Sequence, residues 1–83
     1  MVINGQRRDP RLAHEFGARV RAARLALGLS QEKLAELASV HRTFIGQIET
    51  GSVGPTLVTI VRLASALGID PAELVKGLQP TNQ

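Results

Sequence analysis

The chain has 83 residues, no cysteine and a formal net charge of +3 at pH 7, which indicates one small basic domain without disulfide bonds or cysteine-based metal sites. A polar N-terminus and the lack of an apolar run of about 18 residues argue against a secretory signal and a membrane span, so we expect a cytoplasmic protein. Phe16 and Phe44 are the only aromatic residues, which argues against recognition of single-stranded nucleic acid by base stacking.

The positive charge is concentrated near the N-terminus. Residues 1–24 contain six arginines and two acidic residues, whereas acidic side chains outnumber basic ones in the rest of the chain. Residues 1–8 have no periodic apolar pattern and are predicted to form a flexible basic arm. Two interpretations of the arm stay open: it lies along a phosphate backbone or in a minor groove, or it is a solvated terminus.

The first predicted helix begins after Asp9, a capping residue, with Pro10 at its first position, and Gly28 ends it. Its apolar face consists of residues three and four positions apart, namely Phe16, Val20, Ala23 and Leu27. This face is predicted to pack against the helices that follow.

Two short helices joined by a tight turn are predicted between Ser30 and Gly51. Apolar residues three and four positions apart give each helix a buried stripe, Leu34, Leu37 and Ala38 on the first and Phe44, Ile45 and Ile48 on the second. Val40 lies in the turn and is predicted to be tucked under the corner. A bend of this kind directs the second helix outward, so residues 30–51 are predicted to form a helix-turn-helix.

Two more helices are predicted in the C-terminal part. Thr56 caps a fourth helix, whose buried side is predicted to be Leu57, Ile60, Val61, Ala64 and Leu67. Asp70 and Pro71 open a fifth helix, whose apolar face is predicted to be Leu74, Val75 and Leu78. The chain is therefore predicted to be all-α, with one domain over residues 9–78 and a disordered polar tail at residues 79–83.

The outward face of the second motif helix is polar and carries Arg42, Thr43, Gly46, Gln47 and Thr50. Arginine and glutamine side chains form paired hydrogen bonds with guanine and adenine edges, and a threonine methyl group can meet the thymine methyl group. Double-stranded DNA is therefore the predicted partner. Three further contacts are predicted beside this face: Gln31 at the start of the first motif helix, where N–H groups favour a phosphate, His41 at the start of the second, and Ser52 in the loop that follows.

Three segments resemble the Cro and phage-repressor type (XRE) family of DNA-binding domains: G-L-S-Q-E-K-L-A at residues 28–35, I-G-Q-I-E-T-G at 45–51 and P-T-L-V-T-I-V-R-L-A-S-A-L-G-I at 55–69. The resemblance extends over residues 16–78, and residues 41–51 are most similar to the controller proteins of restriction-modification systems. It implies a compact five-helix bundle of the lambda-repressor-like DNA-binding type.

The resemblance also implies roles for individual residues. In the family, a glutamine at the position of Gln31 contacts the DNA backbone, and residues at the positions of Arg42 and Thr43 contact base edges. Arg24 and Glu49 occupy the positions of a partly buried ion pair, to which we assign a structural role. Many relatives have glycine where this chain has Ser39. Glycine adopts a positive φ freely, so Ser39 would be strained if this position requires one.

Two functions from different classes stay open. One is a homodimeric transcription regulator that binds an inverted-repeat operator, with RNA polymerase as a candidate further partner and Ile69, Val75 and Leu78 as the predicted dimer interface. The other is an antitoxin or adaptor whose main partner is a protein. His14 and His41 have no metal-ligand spacing and no catalytic triad pattern around them, so no enzyme activity, metal or cofactor is expected.

Overall fold

The computed structural model describes residues 9–81 and, within that range, contains five α-helices and no β-strand. The helices are α1 (Pro10–Ala26), α2 (Gln31–Ala38), α3 (Arg42–Thr50), α4 (Leu57–Leu67) and α5 (Pro71–Val75). This arrangement confirms the predicted all-α, five-helix architecture. The predicted basic arm at residues 1–8 lies outside the described residues, as do residues 82 and 83.

Each helix begins after a residue whose side chain accepts a hydrogen bond from a backbone N–H group of the first turn. These capping residues are Asp9, Ser30, His41, Thr56 and Asp70. The distances range from 2.8 Å between Asp70 Oδ1 and Ala72 N to 3.4 Å between His41 Nδ1 and Thr43 N. Side chains of this kind satisfy N–H groups that have no partner inside the helix, so the local sequence fixes where each helix begins.

The core lies where α1 packs against α3, α2 packs against α3 and α4, and α5 packs against α4 and α1. Its buried members come from all five helices: Phe16, Val20, Leu34, Ala35, Ala38, Ile45, Ile48, Leu63, Ala64, Leu67 and Leu74. Because α2 and α3 each contribute to this one core, the two motif helices are held by the rest of the domain rather than by each other alone.

The prediction that Leu27, Leu37, Leu57 and Val61 are buried is wrong, because all four side chains are exposed. Leu27 lies one residue beyond the end of α1, where it forms the C-cap. On α2, the buried side consists of Leu34, Ala35 and Ala38. The side of α2 that meets the core therefore includes Ala35 in place of Leu37, so it is shifted around the helix from the side that the apolar spacing predicts.

The error on α4 has a separate cause, since this helix is apolar on more than one side. Its buried residues are Thr59, Leu63, Ala64 and Leu67. Thr59 is accommodated in the interior because its hydroxyl group shares a hydrogen bond with the Thr56 hydroxyl group, at 3.1 Å. Packing against α2 and α5 therefore selects one face of α4 and leaves Leu57 exposed over 75% of its surface.

Two glycines allow α1 and α3 to approach each other closely. A Cβ atom at Gly17 would overlap the Ile48 carbonyl oxygen and lie 2.9 Å from the Glu49 carbonyl oxygen. Gly51 ends α3 with a φ of +80°, and a Cβ atom there would lie 2.7 Å from His14 Cα. The backbones of α1 and α3 are therefore in direct contact along the second half of α3.

The segment after α5 returns to the beginning of α1. Asp9 accepts a hydrogen bond from Leu12 N at 3.1 Å and two more from Thr81, one from its backbone N at 2.7 Å and one from its hydroxyl group. The hydrogen bonds from Thr81 are the main reason why the pKa of the Asp9 carboxyl lies below its ordinary value. The predicted disorder of residues 79–83 stays a prediction.

Candidate nucleic-acid interface

The turn between α2 and α3 consists of residues 39–41. Ser39 ends α2 in the left-handed region, with φ of 58° and ψ of 45°, and Val40 N donates a hydrogen bond to Ala35 O at 3.0 Å. Val40 is half-buried and packs against the core, as predicted from its place in the turn. His41 then caps α3, so three residues connect the two helices.

Ser39 is the only residue other than glycine with a positive φ within residues 9–81. A side chain with a Cβ atom in this region costs on the order of 1–2 kcal/mol. The strain that the sequence suggested at this position is therefore present. The Arg62 guanidinium lies beside the same turn and donates a long hydrogen bond, of 3.5 Å, to the Ser39 carbonyl.

α3 divides into a buried side and an exposed side. Ile45, Ile48 and Glu49 are buried against the domain. The exposed side consists of Arg42, Thr43, Gln47 and Thr50, preceded by the exposed cap His41, and Gly46 on the same helix is half-buried. The polar residues predicted to contact DNA thus share the outer surface of α3, where their side chains can meet an external partner.

Thr50 and Ser52, which are both predicted contact residues, already form hydrogen bonds at the end of α3. The Thr50 hydroxyl group lies 3.1 Å from Gly46 O and 3.2 Å from Gln47 O, and it shares a hydrogen bond of 2.8 Å with the Ser52 hydroxyl group. These hydrogen bonds connect the last turn of α3 to the loop that follows it. A direct DNA contact by Thr50 or Ser52 stays a prediction, and it would require these hydroxyl groups to form additional or different hydrogen bonds.

His41 is arranged differently. Its Nδ1 atom accepts a hydrogen bond from Thr43 N, and in a neutral imidazole the other ring nitrogen then carries the hydrogen. The exposed Nε2 atom is therefore a hydrogen-bond donor at the beginning of α3. A donor next to a helix N-terminus suits an anionic group such as a phosphate.

Arg24 of α1 and Glu49 of α3 form a paired ionic contact behind the exposed face. Arg24 Nε lies 2.6 Å from Glu49 Oε2, and Arg24 Nη2 lies 3.0 Å from Glu49 Oε1. The two side chains are 9% and 2% exposed, respectively. Hydrogen bonding to Glu49 raises the pKa of Arg24 above its ordinary value, which favours the charged guanidinium in this contact. This geometry is that of the ion pair expected from the sequence.

A third side chain joins this pair, which the sequence did not indicate. Gln31 Nε2, at the first position of α2, donates a hydrogen bond of 3.0 Å to Glu49 Oε1. Arg24 Nη1 donates to the Leu29 carbonyl, just before α2, at 2.7 Å. Gln31 and Glu49 are 18 positions apart in the sequence, so no local pattern could reveal their contact.

The predicted dimer-interface residues are not equally exposed. Val75 on α5 is 41% exposed, whereas Ile69 and Leu78 are half-buried and pack against the core of the same chain. A second apolar surface lies on α4, where Leu57 and Val58 are 75% and 60% exposed. The interface assigned to Ile69, Val75 and Leu78 stays a prediction.

Within residues 9–81, no group of three or more histidine, cysteine or carboxylate residues is arranged to hold a metal ion. Over the same part of the chain, no helix is both long enough and apolar enough to cross a membrane.

Two helices joined by a three-residue turn, the second with an exposed polar face and both packed on a small helical core, define a helix-turn-helix protein of the lambda-repressor-like fold. A family model described as a helix-turn-helix domain matches residues 15–76, and the chain belongs to this family. This finding confirms the resemblance identified in the sequence.

The chain is similar to controller proteins and to a repressor protein. Control protein C.BamHI of Bacillus amyloliquefaciens is 43% identical over 61 residues, which cover 72% of this chain and 75% of the relative. The crystal structure of the restriction-modification controller protein C.AhdI from Aeromonas hydrophila matches with 47% identity and a TM-score of 0.74, covering 75% of this chain and 94% of that one. The P22 c2 repressor protein, solved in complex with a synthetic operator, matches with 32% identity and a TM-score of 0.69 over 75% of this chain and 94% of that one.

Proposed function

We propose that the protein is a sequence-specific regulator of transcription that binds double-stranded DNA as a homodimer on an inverted-repeat operator. The observation that carries the proposal is the exposed polar face of α3, with Arg42, Thr43 and Gln47 on a helix whose opposite side is buried against the domain. Side chains of these types have the donors, acceptors and methyl groups needed to distinguish base pairs in the major groove.

The surroundings of α3 support a division of roles in this proposal. Arg42 and Gln47 are assigned to base edges, because both are exposed and extend from the outer face of the helix. His41 and Gln31 are assigned to phosphates, since each lies at the N-terminal end of a helix, where N–H groups and the helix dipole favour an anion. Phosphate contacts set the register of the helix in the groove, and base contacts select the sequence.

The relatives support a narrower form of the proposal. C.BamHI and C.AhdI carry the name of control or controller proteins, and C.AhdI is described as belonging to a restriction-modification system. We therefore assign this chain to the same kind of regulator, one that controls a restriction-modification operon and its own expression.

The test of DNA recognition is selection of bound duplexes from a pool of random sequence, followed by affinity measurement at several salt concentrations. We expect an inverted repeat to be enriched, because a two-fold dimer presents the same surface to both half-sites. We also expect the logarithm of affinity to fall linearly with the logarithm of salt concentration, since basic side chains displace counterions from phosphates. Binding that does not depend on salt, or no binding to any duplex, contradicts the proposal.

The dimer is proposed to form through the C-terminal part of the chain, which would separate the two α3 helices by roughly 34 Å, one turn of DNA. Val75→Asp is the best test, because Val75 is exposed and its replacement leaves the monomer core intact. We expect sedimentation to show a dimer for the parent and a folded monomer for Val75→Asp. Leu25→Asp is the matched control, at a position on α1 that is 51% exposed against 41% for Val75, and it should stay dimeric. A Val75→Asp variant that still dimerises removes α5 from the interface.

A second candidate function is an antitoxin or adaptor whose main partner is another protein. The exposed apolar residues Leu57, Val58 and Val61 on α4 favour it, because they form a surface that a partner could cover. The two functions differ in the selection experiment. A regulator enriches one sequence, whereas a protein-interaction module with secondary DNA binding leaves the pool close to random.

A further inference from the structure

We infer that Glu49 is a positioning residue for DNA binding, because its buried carboxylate fixes the orientation of the Gln31 side-chain amide at the start of α2. The inference rests on the proposed DNA-binding function and extends it. Glu49 is too buried to contact DNA, but it orients Gln31, whose side chain is partly exposed.

The contact is specific at the level of single atoms. Glu49 Oε1 accepts hydrogen bonds from Gln31 Nε2 and from Arg24 Nη2, both at 3.0 Å, while Glu49 Oε2 accepts from Arg24 Nε at 2.6 Å. With the Glu49 side chain only 2% exposed, little water competes for these positions. The carboxylate is thus an acceptor fixed in place by α1 and α3, and Gln31 of α2 binds to it.

This acceptor distinguishes the two ends of the amide. An ionised carboxylate can only accept hydrogen bonds, whereas a glutamine amide donates from its nitrogen and accepts at its oxygen. Turning the Gln31 amide over would place its oxygen about 3 Å from Glu49 Oε1, where two acceptors repel each other. Glu49 therefore keeps the Gln31 nitrogen directed inward.

The outward end of the amide follows from this constraint. Gln31 Oε1 lies 3.9 Å from the position that a Cβ atom would occupy on Gly46, so the oxygen lies near the middle of α3, where residue 46 has no side chain. A glutamine amide nitrogen has two hydrogens, and Glu49 accepts from one of them, so we assign the other to a phosphate oxygen. Fixing the amide before DNA arrives removes part of the entropy that binding would otherwise cost.

Arg24 completes the arrangement from the other side. Its Nη1 atom donates to the Leu29 carbonyl at 2.7 Å, immediately before Ser30, the cap of α2. The same guanidinium therefore holds both Glu49 and the backbone that leads into Gln31. The position of the amide relative to α3 is determined by this network rather than by Gln31 alone.

The test is a double-mutant cycle on DNA affinity with Glu49→Gln and Gln31→Met, using a duplex that the parent chain has selected from a random pool. Glu49→Gln keeps the size of the side chain but leaves one acceptor oxygen, for which the Arg24 guanidinium competes. We expect Gln31→Met to lower affinity about fivefold or more in the parent, and by about twofold or less in the Glu49→Gln background.

A purely structural role for Glu49 gives a different result. The two substitutions would then be coupled in the free energy of unfolding, but their effects on DNA affinity would be additive within about twofold. Lys33→Met is the matched control for Gln31→Met, because Lys33 is on the same helix and pairs with Glu36 instead. Its effect on affinity should be the same in both backgrounds.

Far-UV circular dichroism establishes that each variant is folded at the temperature of the binding measurement. If Glu49→Gln does not fold, the cycle is run with Glu49→Asp, which keeps the negative charge near Arg24 but shortens the side chain by one methylene, so that the carboxylate moves away from Gln31. Additive effects on affinity in a parent chain that binds DNA overturn this inference alone. A parent chain that binds no duplex overturns both this inference and the proposed function.

Discussion

Gly17 of α1 lies so close to Ile48 of α3 that a Cβ atom on residue 17 would overlap the Ile48 carbonyl oxygen. The two helices therefore meet backbone to backbone, without an intervening side chain that could adjust. This contact sets the distance between α1 and α3. Because α3 carries the residues proposed to contact bases, it also sets how far these residues extend from the domain. Protein interiors are close-packed, so a displacement at this point would be transmitted along α3.

Gly17→Ala and Gly46→Ala are the same substitution in two helices with opposite expected results. Gly17→Ala should lower the free energy of unfolding by about 1–3 kcal/mol or more, because α3 must move away. Gly46→Ala should raise it by about 1 kcal/mol, the difference in helix propensity. A Cβ atom at Gly46 meets only the end of the Gln31 side chain, at 3.9 Å. Urea denaturation measures both values, and a neutral Gly17→Ala variant would contradict the close contact.

Ser39→Gly should stabilise the protein. Ser39 has a φ of 58°, and glycine adopts this conformation without the penalty of a Cβ atom, so we expect a gain of about 1 kcal/mol in the free energy of unfolding. Ser65→Gly is the matched control, because Ser65 is an exposed serine inside α4. It should lose about 0.5–1 kcal/mol by thermal or urea denaturation. Equal effects at the two positions would mean that Ser39 is not strained.

Arg24→Met should lower the free energy of unfolding by about 3–5 kcal/mol, because it leaves the Glu49 carboxylate buried without its charged partner. Lys33→Met removes a lysine from an exposed pair with Glu36, in which the side chains are 52% and 70% exposed, and should cost less than about 0.5 kcal/mol. Chemical denaturation distinguishes the two cases. A small loss for Arg24→Met would show that water enters the site and compensates the charge.

Arg42 should contribute to sequence preference through the shape of its guanidinium group and not only through its charge. Arg42→Ala is expected to cost about 1–3 kcal/mol on the selected duplex and to relax the preference at one base pair. Arg42→Lys keeps the charge but loses the two-pronged donor, so it should retain affinity for random DNA while losing the preference. Equal losses on selected and random duplexes for both variants would assign Arg42 to a phosphate.

The contact between Asp9 and Thr81 should depend on pH in the acid range. Hydrogen bonds from Thr81 lower the pKa of Asp9 from its ordinary value of 3.8, so the ionised carboxylate is favoured in the folded chain. The stabilisation is complete above the ordinary pKa and is lost as the pH falls through the lowered one. The Thr81 amide resonance should therefore shift in this range by NMR, and Asp9→Asn should abolish the titration.

The sequence by itself determined the features that depend on neighbouring residues. The helix starts at Asp9, Thr56 and Asp70 were recognised because a cap acts on N–H groups only two or three positions away. The motif of two helices and a tight turn followed from spacing and from the family resemblance. The strain at Ser39 was anticipated from the resemblance, because many relatives have glycine at this position and a residue with a Cβ atom is strained at a positive φ.

Tertiary structure alone decided which faces meet and which distant side chains bind each other. Leu57 and Val61 belong to one apolar side of α4, Leu63 and Leu67 to another, and only packing against α2 and α5 selects the second for the core. The hydrogen bond from Gln31 to Glu49 likewise requires the packing of α2 against α3, and the packing of α1 against α3 brings Arg24 to the same carboxylate. Such contacts join residues 18 and 25 positions apart, and no local preference of the chain specifies them.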